Sequence, residues 1–309
     1  MAEDLYAQQS LDLTISPYKF EETVSPGQTI SDSIKIINNS DKEMLMKVEV
    51  YDFKPSGEEG RQTFISPESG DPYIDYSLST WIDIDTGPFI IGPKKTKEIN
   101  FSIKVPESAE PGGHYAAVFI GPSSSEDMEE GQSESAFYEG GVSVRGNIGS
   151  LLIIRVEGEV YELAKIVGFN SKNKLWERPP ITLKTRFHNF SNVHLKPVGF
   201  IDIFDIFGRK IDTLGVNKEK GNVLPVSIRM FETIWENKRA FGRYTARLSM
   251  AYGEKNKVIT EETAFWVFPW KKISIWIFGL IILIVILIWG IKRYNRRIIG
   301  KALEDKRRE

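Results

Sequence analysis

The chain has 309 residues, with 40 Lys/Arg against 42 Asp/Glu, a formal net charge of −2, 41% hydrophobic residues and no cysteine. Such an apolar fraction can bury real cores and excludes a broadly disordered chain, while the missing cysteines exclude disulfides, Cys-ligated metals and thiol nucleophiles. The near-neutral total hides an asymmetry: residues 1–150 hold 11 Lys/Arg and 26 Asp/Glu, a field that repels phosphates and speaks against a nucleic-acid partner.

Residues 1–10 (MAEDLYAQQS) read as a disordered N-terminus without the apolar stretch of a signal peptide. Residues 11–158 read as a first antiparallel β-sandwich. Thr29–Asn38 alternates around an apolar face, and Met44–Phe53 does so again through Met46, Val48 and Val50. Between them, Asn38-Asn39-Ser40-Asp41-Lys42 has turn chemistry, since Asn and Asp tolerate left-handed backbone. Trp81 lies on an alternating stretch and is expected in the core. Thr96–Val105 alternates through Ile99, Phe101, Ile103 and Val105, and Pro111-Gly112-Gly113 breaks the chain before His114–Gly121. Residues 123–140, rich in Ser, Glu and Gly, read as a mobile acidic loop, and Val142–Val156 as one long closing strand.

The pattern restarts in residues 159–270, a second β-sandwich. Ile181–Asn189, Val198–Ile206, Val223–Arg229, Tyr244–Tyr252 and Val258–Phe268 are its expected strands, with hairpin turns at Phe207-Gly208-Arg209 and Tyr252-Gly253-Glu254. Two stretches, Lys174–Pro180 and Glu232–Lys238, read as loops that expose Trp176 and Trp235. Indole faces bind sugars and anchor protein partners, so these two are the expected ligand contacts.

Residues 271–292 read as one transmembrane helix. Ile273–Ile291 contains nineteen residues without a charge, long enough at about 1.5 Å per residue to cross the ~30 Å hydrocarbon core. Trp276 and Trp289 stand near its ends, where indoles prefer the headgroup boundary. Lys292, Arg293, Arg296 and Arg297 follow, and the tail 293–309 is strongly basic. An excess of Lys/Arg after the span places the tail in the cytoplasm and the bulk of the chain outside, a single-pass protein of the cell membrane. Export without a visible signal peptide implies one already removed; a tail-anchored protein with its bulk in the cytosol is the other arrangement.

Catalytic and metal chemistry finds little material. His114, His188 and His194 are the only histidines, and no nucleophile-elbow pattern accompanies them. His188 and His194 bracket a tight turn, yet two histidines without a third ligand make a weak zinc claim. Asp83-x-Asp85-x-Gly87 resembles the start of a calcium loop but lacks the later Glu, since position 94 is Lys. Asp71 and Asp75 are the other carboxylates such a site would draw on. No phosphate-cradling glycine loop is present. Neither a cofactor nor a catalytic site is expected. The Asn-x-Ser triplets at Asn38, Asn100 and Asn189 carry no weight, because chance supplies that many.

Several passages are familiar. Val24-Ser25-Pro26-Gly27-Gln28 followed by Ile34–Ser40 resembles the opening of immunoglobulin-like envelope domains. Trp81–Pro93, Phe101–Gly121 and Gly149–Gly158 resemble the first domain of the WxL-interacting protein family of Gram-positive bacteria, which also shares the order of two domains, one span and a basic tail. The resemblance implies an all-β chain: two immunoglobulin-like antiparallel β-sandwich domains followed by one transmembrane α-helix. It further implies a non-enzymatic surface protein that binds cell-wall glycan (peptidoglycan) and partner surface proteins. A second expectation, from another class, is an envelope chaperone or assembly factor that offers a sheet edge to client strands, with Phe101–Val105 as the edge in question. Oligomeric state is not legible.

Overall fold

The structure, a computed structural model, describes residues 12–66, 71–122, 136–138, 141–144, 147–238 and 240–305. The acidic segment expected to be a mobile loop lies outside them, apart from 136–138. Twelve strands precede residue 157: β1 (Leu13–Ser16), β2 (Lys19–Val24), β3 (Thr29–Asn38), β4 (Met44–Ser56), β5 (Arg61–Ile65), β6 (Ile82–Ile84), β7 (Phe89–Ile91), β8 (Thr96–Lys104), β9 (Gly112–Pro122), β10 (Ala136–Tyr138), β11 (Gly141–Val144) and β12 (Asn147–Val156). Eight more follow: β13 (Ala164–Ser171), β14 (Leu175–Trp176), β15 (Ile181–Asn189), β16 (Val198–Phe204), β17 (Lys210–Val216), β18 (Ser227–Trp235), β19 (Gly242–Tyr252) and β20 (Lys257–Val267). A single helix, α1 (Trp270–Asp305), ends the described chain.

The fold is two immunoglobulin-like β-sandwiches and one apolar helix. The first sandwich packs sheet β1-β3-β8-β6 against sheet β10-β11-β12-β9-β4-β5, with β2 added to β12 and β7 to β4. The second packs β13-β15-β18 against β14-β20-β19-β16-β17. Each encloses its own core. Ile34, Ile36, Met46, Ile103, Val118 and Leu152 lie in the first, and Leu183, Phe187, Ile201, Trp235, Leu248 and Phe265 in the second.

One plan is used twice. In both sandwiches the first strand is split, and its second part, β2 or β14, adds in parallel to the last strand, β12 or β20. In both, the next long strand ends on a fully buried asparagine. Asn38 Nδ2 donates to the carbonyls of Lys42, Ile91 and Gly92 at 2.7, 3.2 and 3.1 Å. Asn189 Nδ2 donates to those of Val193, Val223 and Leu224 at 2.8, 2.9 and 3.2 Å. Their Oδ1 atoms accept from the N–H of Ser40 and Ser191, two residues on. Two of the three Asn-x-Ser triplets are therefore fold devices: the amide replaces a missing ladder and closes the turn that leads into β4 or β16.

Strand β9 departs from the sandwich pattern. Ala116, Val118 and Ile120 face the first core, and Tyr115, Ala117 and Phe119 are just as buried on the other side. The unbroken apolar run Tyr115–Ile120 records this, since a strand covered on both faces has no polar alternation. The outer layer consists of Phe53, Phe64, Tyr115, Phe119, Leu151 and Ile153, with Leu224 contributed by the second sandwich. Over it lies the segment after residue 70, held by buried Asp52. That carboxylate accepts from the N–H groups of Leu78 and Ser79 and from the hydroxyls of Ser77 and Ser79, all between 2.6 and 2.9 Å.

Several expected boundaries shift. Val142–Val156 is two strands, β11 and β12, paired as a hairpin. Val223 makes only an isolated bridge to Leu195, and the strand read as Val223–Arg229 runs instead from Ser227 to Trp235. Phe231, Thr233 and Trp235 point inward while Glu232 and Ile234 point out, a period of two hidden among polar neighbours. Trp81 is half-buried against the first core, stacked 4.3 Å from the His114 ring. Helix α1 continues well past residue 292, and Ile273–Tyr294 is long and apolar enough to cross a membrane, with none of it buried.

Substituting Asn189 by Ala strands the Val193 carbonyl and the Ser191 N–H, at about 1–3 kcal/mol for each group left unsatisfied, while the Val223 and Leu224 carbonyls keep the Leu195 N–H and the Ser227 hydroxyl. A loss of at least about 2 kcal/mol in urea or thermal denaturation is expected, whereas exposed Asn100→Ala should stay within about 0.5 kcal/mol of the parent.

Candidate functional site

The two sandwiches meet through a buried polar network seeded by Tyr115. Its hydroxyl oxygen accepts the backbone N–H of His194 at 2.9 Å and lies 3.3 Å from His194 Nδ1. His194 Nε2 lies 3.0 Å from Glu21 Oε1, a carboxylate that can only accept. Nε2 therefore carries the proton, Nδ1 is left to accept from the Tyr115 hydroxyl, and a neutral ring satisfies every partner. Lys196 and Lys19 also reach Glu21, at 2.5 and 3.0 Å. Burial pushes the Glu21 carboxyl up, but hydrogen bonds from His194, Lys196 and Lys19 outweigh it and hold the group well below the usual carboxylate range. Burial also holds His194 below its ordinary value, against the pull of Glu21. The Tyr115 phenol is pushed well above its ordinary range, chiefly by burial.

Three further contacts tie the sandwiches together. The turn between β4 and β5 reaches across, where Glu58 forms a bidentate pair with Arg186 and its carbonyl accepts the Met230 N–H at 2.6 Å. Gly113 N–H donates to the Asn192 carbonyl at 2.9 Å, and Asn192 Nδ2 returns a bond to Pro111. Neighbouring Gly112, at φ +136°, has no room for a side chain, because a Cβ there would meet the Asn192 carbonyl oxygen. Arg155 on β12 pairs with Glu162 and Glu254 at 3.6 and 2.9 Å.

This arrangement leaves one flank of the second sandwich open. In the first sandwich β8 is paired on both sides, by β3 and by β6, through Ile82–Ile103, Asp83–Ser102 and Ile84–Phe101. Phe101–Val105, the edge suggested by the sequence, is thus closed along its length up to Ile103. In the second sandwich β18 has β15 on one side and, among the described residues, no strand on the other. The two strands correspond, since Thr96 is the partner of Asn38's neighbour Ile37 as Ile228 is of Asn189's neighbour His188. The stretch that β6 covers, Phe101–Ile103, then maps onto Thr233–Trp235.

Backbone groups on an antiparallel strand alternate sides, and the Met230 N–H points outward to Glu58. Glu232 and Ile234 therefore present outward N–H and carbonyl groups. Across from them runs β17, the last strand of the opposite sheet. Between β17 and β18 lies a groove of about 560 Å³, lined by Thr213, Leu214, Phe231, Thr233 and Ile234 among others. Ile234 is 54% exposed there, and the groove's end is closed by Trp235 Nε1 donating to Asp212 at 2.9 Å. An open edge with a largely polar groove beside it, floored in part by Leu214, Phe231 and Ile234, is chemically equipped to add one extended strand.

The expected ligand contacts need correction. Trp235 is 0% exposed and packs edge-on against Tyr244 and Phe265, so its indole contacts the core and no external ligand. Trp176 is half-buried against the same core, with its Nε1 donating to Ser171 Oγ. The suggested calcium carboxylates are dispersed: Asp83 pairs with Lys104, Asp85 caps the Gly87 N–H, and Asp71 pairs with Lys54. Histidines 188 and 194 do not form a pair either, since His188 stacks 3.7 Å from Phe190 while His194 belongs to the interface network. Trp276, Trp289 and Ile291 lie exposed along α1 and Ile273 is partly exposed, and Lys292 and Arg293 follow on the same helix. Sequence reasoning missed Glu58, Tyr115 and Arg186; the both-sided apolar run of β9 was the one available signal.

No family model matches the chain, and no curated protein does. Among solved structures it is similar to the class 5 fimbriae chaperone CfaA, with 13% identity over 81% of this chain and 98% of that one, at a TM-score of 0.38. It is also similar to the YadV chaperone (10% identity, 82% and 100% covered, TM-score 0.35) and to the E. coli chaperone DraB (11%, 82% and 96%, 0.34). Scores and identities this low carry no inference about what the chain does.

The interface network makes a pH prediction. His194 is held below the 6.5 of a free imidazole, so the unfolded chain takes up its proton first and stability falls as pH drops through that value. Glu21, held below 4.5, adds a loss of the same sign only under about pH 4.5. His188, also held low by burial, contributes to the upper step. The melting temperature should therefore fall between pH 7 and pH 5, and less so in His194→Gln, with the step below 4.5 retained; equal slopes would contradict the assignment.

Proposed function

We propose that this chain is a non-catalytic, membrane-anchored protein of the bacterial cell surface that holds partner proteins by adding one of their strands to the open edge of β18. The observation that carries the reading is internal. Among the described residues, the slot filled by β6 in the first sandwich has no strand in the second, and it faces a groove with outward backbone groups at Glu232 and Ile234. A client segment would pair along Glu232–Trp235, with alternate side chains turned toward Leu214 and Phe231 or toward Ile234 and the Lys184–Glu232 pair. This is chaperone-like or assembly-like binding. It also agrees with the resemblance to WxL-interacting proteins in making surface proteins the partners.

Ile273–Tyr294 supplies the anchor in this reading, and the basic residues after it favour a cytoplasmic tail with the sandwiches outside. Cell-wall glycan has less support. Of the indoles that suggested it, Trp235 is buried in the second core and Trp176 is half-buried against it.

Proline offers a clean test. At Ile234 it removes an outward N–H that β15 does not use, and edge positions tolerate it. Ile234→Pro should fold with a stability loss under about 1.5 kcal/mol, yet bind a co-purifying client or its strand peptide at least about tenfold more weakly, the equivalent of one lost backbone bond and a steric clash. Unchanged capture by full-length Ile234→Pro in a crosslinking pull-down would refute edge addition, and capture of glycan alone would replace it.

A further inference from the structure

The end of the second sandwich nearest the helix is built from three chain segments that converge on Trp270. Leu175 and Trp176 pair with Trp266 and Val267, the last residues of β20. The Phe268 N–H donates to the Trp176 carbonyl at 2.8 Å, and the Phe241 ring lies 5.6 Å from that of Phe268. Only Phe268 and Pro269 separate β20 from α1, and Lys271 on the first turn of the helix pairs back to Glu177 at 2.9 Å. The helix therefore leaves the sandwich without a linker, and this end stands at whatever surface the helix enters.

This end combines exposed apolar side chains with cations. Leu175, Phe241, Trp266 and Trp270 are 49, 62, 49 and 46% exposed, large apolar side chains with no cover. Around them stand the exposed cations Lys174, Arg178, Lys238 and Arg243, while Glu177 is already paired with Lys271. Arg243 and Trp266 are cross-strand neighbours on one face of the sheet, so a ring and a guanidinium are offered side by side. Amphipathic rings settle at headgroup depth, and Lys/Arg side chains near an anionic leaflet gain from its surface potential.

We propose that this end is a membrane footing: its rings lie at headgroup depth and its cations engage the phosphates of anionic phospholipids, holding the sandwich against the bilayer. The proposal rests on α1 being the membrane anchor and is independent of strand capture at β18. One occupant satisfies the observations, namely the leaflet that the helix itself enters. Both the direct helix junction and the charge complementarity point to it.

The absence of native cysteines makes the test clean. Full-length protein carrying Phe241→Cys, Leu175→Cys or, as a distant control, Ser33→Cys is labelled with an environment-sensitive fluorophore and placed in nanodiscs of phosphatidylcholine with or without phosphatidylglycerol. Incorporation into the discs reports the anchor separately from the footing. The labels at 241 and 175 should shift to the blue and be quenched by headgroup-level spin-labelled lipid, the control should not, and phosphatidylglycerol should strengthen the effect. Lys174→Gln, Lys238→Gln and Arg243→Gln should each weaken that enhancement, on the order of fivefold per charge removed. Incorporated protein whose labels at 241 and 175 behave like the control overturns the footing. Quenching indifferent to phosphatidylglycerol and to these variants overturns the headgroup recognition.

Discussion

The structure turns on the fact that β9 is apolar on both faces. A sandwich normally gives one face of each sheet to water, but Tyr115, Ala117 and Phe119 cannot be left there. They are covered by the segment that Asp52 pins in place and by Leu224 from the second sandwich. Because the cover comes partly from the other sandwich, the two are joined by a hydrophobic layer. The polar atoms at its margin must then find partners in each other: Tyr115 with His194, and His194 with Glu21. Removing the phenol hydroxyl would strand a buried backbone N–H, which is why this short chain of bonds fixes the interface so firmly.

Two consequences reach the surface. The β4–β5 turn, drawn over the interface, occupies the upstream part of the β18 edge through Glu58 and Met230 and leaves Glu232–Trp235 open. The direct junction between β20 and α1 means that whatever orientation the helix adopts is passed to the sandwich through Phe268 and Pro269. Under the proposed reading, a helix anchored in the membrane, with a tied interface and no linker, presents the β18 edge at a fixed height, which suits the holding of an extended client better than the search of a large volume.

Much of the fold was legible because it is local. Period-two alternation marked β3, β15 and the body of β8, and left-handed glycines at 208 and 253 marked two hairpins. The charge-free run marked the helix. What was not legible is non-local. Glu58 and Arg186 are 128 residues apart, and neither stands in a motif. Trp235 seemed exposed because Glu232, Glu236 and Lys238 surround it in sequence, although its own position shares the inward phase of Phe231 and Thr233. The alternation of Phe101–Val105 points to an edge in the first sandwich, whereas the open edge lies in the second. Phe101–Ile103 and Thr233–Trp235 are equivalent stretches, and only tertiary pairing tells which of them has acquired a neighbour such as β6.

The central claim, that β18 keeps an unoccupied edge, is tested most directly by residue-resolved amide exchange on the full-length protein in detergent or nanodiscs. The account predicts that Phe231 and Thr233, bonded to β15, exchange slowly, and that Glu232 and Ile234 exchange orders of magnitude faster until a client strand is added. Slow exchange at Glu232 and Ile234 in the protein alone would mean that the edge is already covered, and the account of strand capture would be wrong.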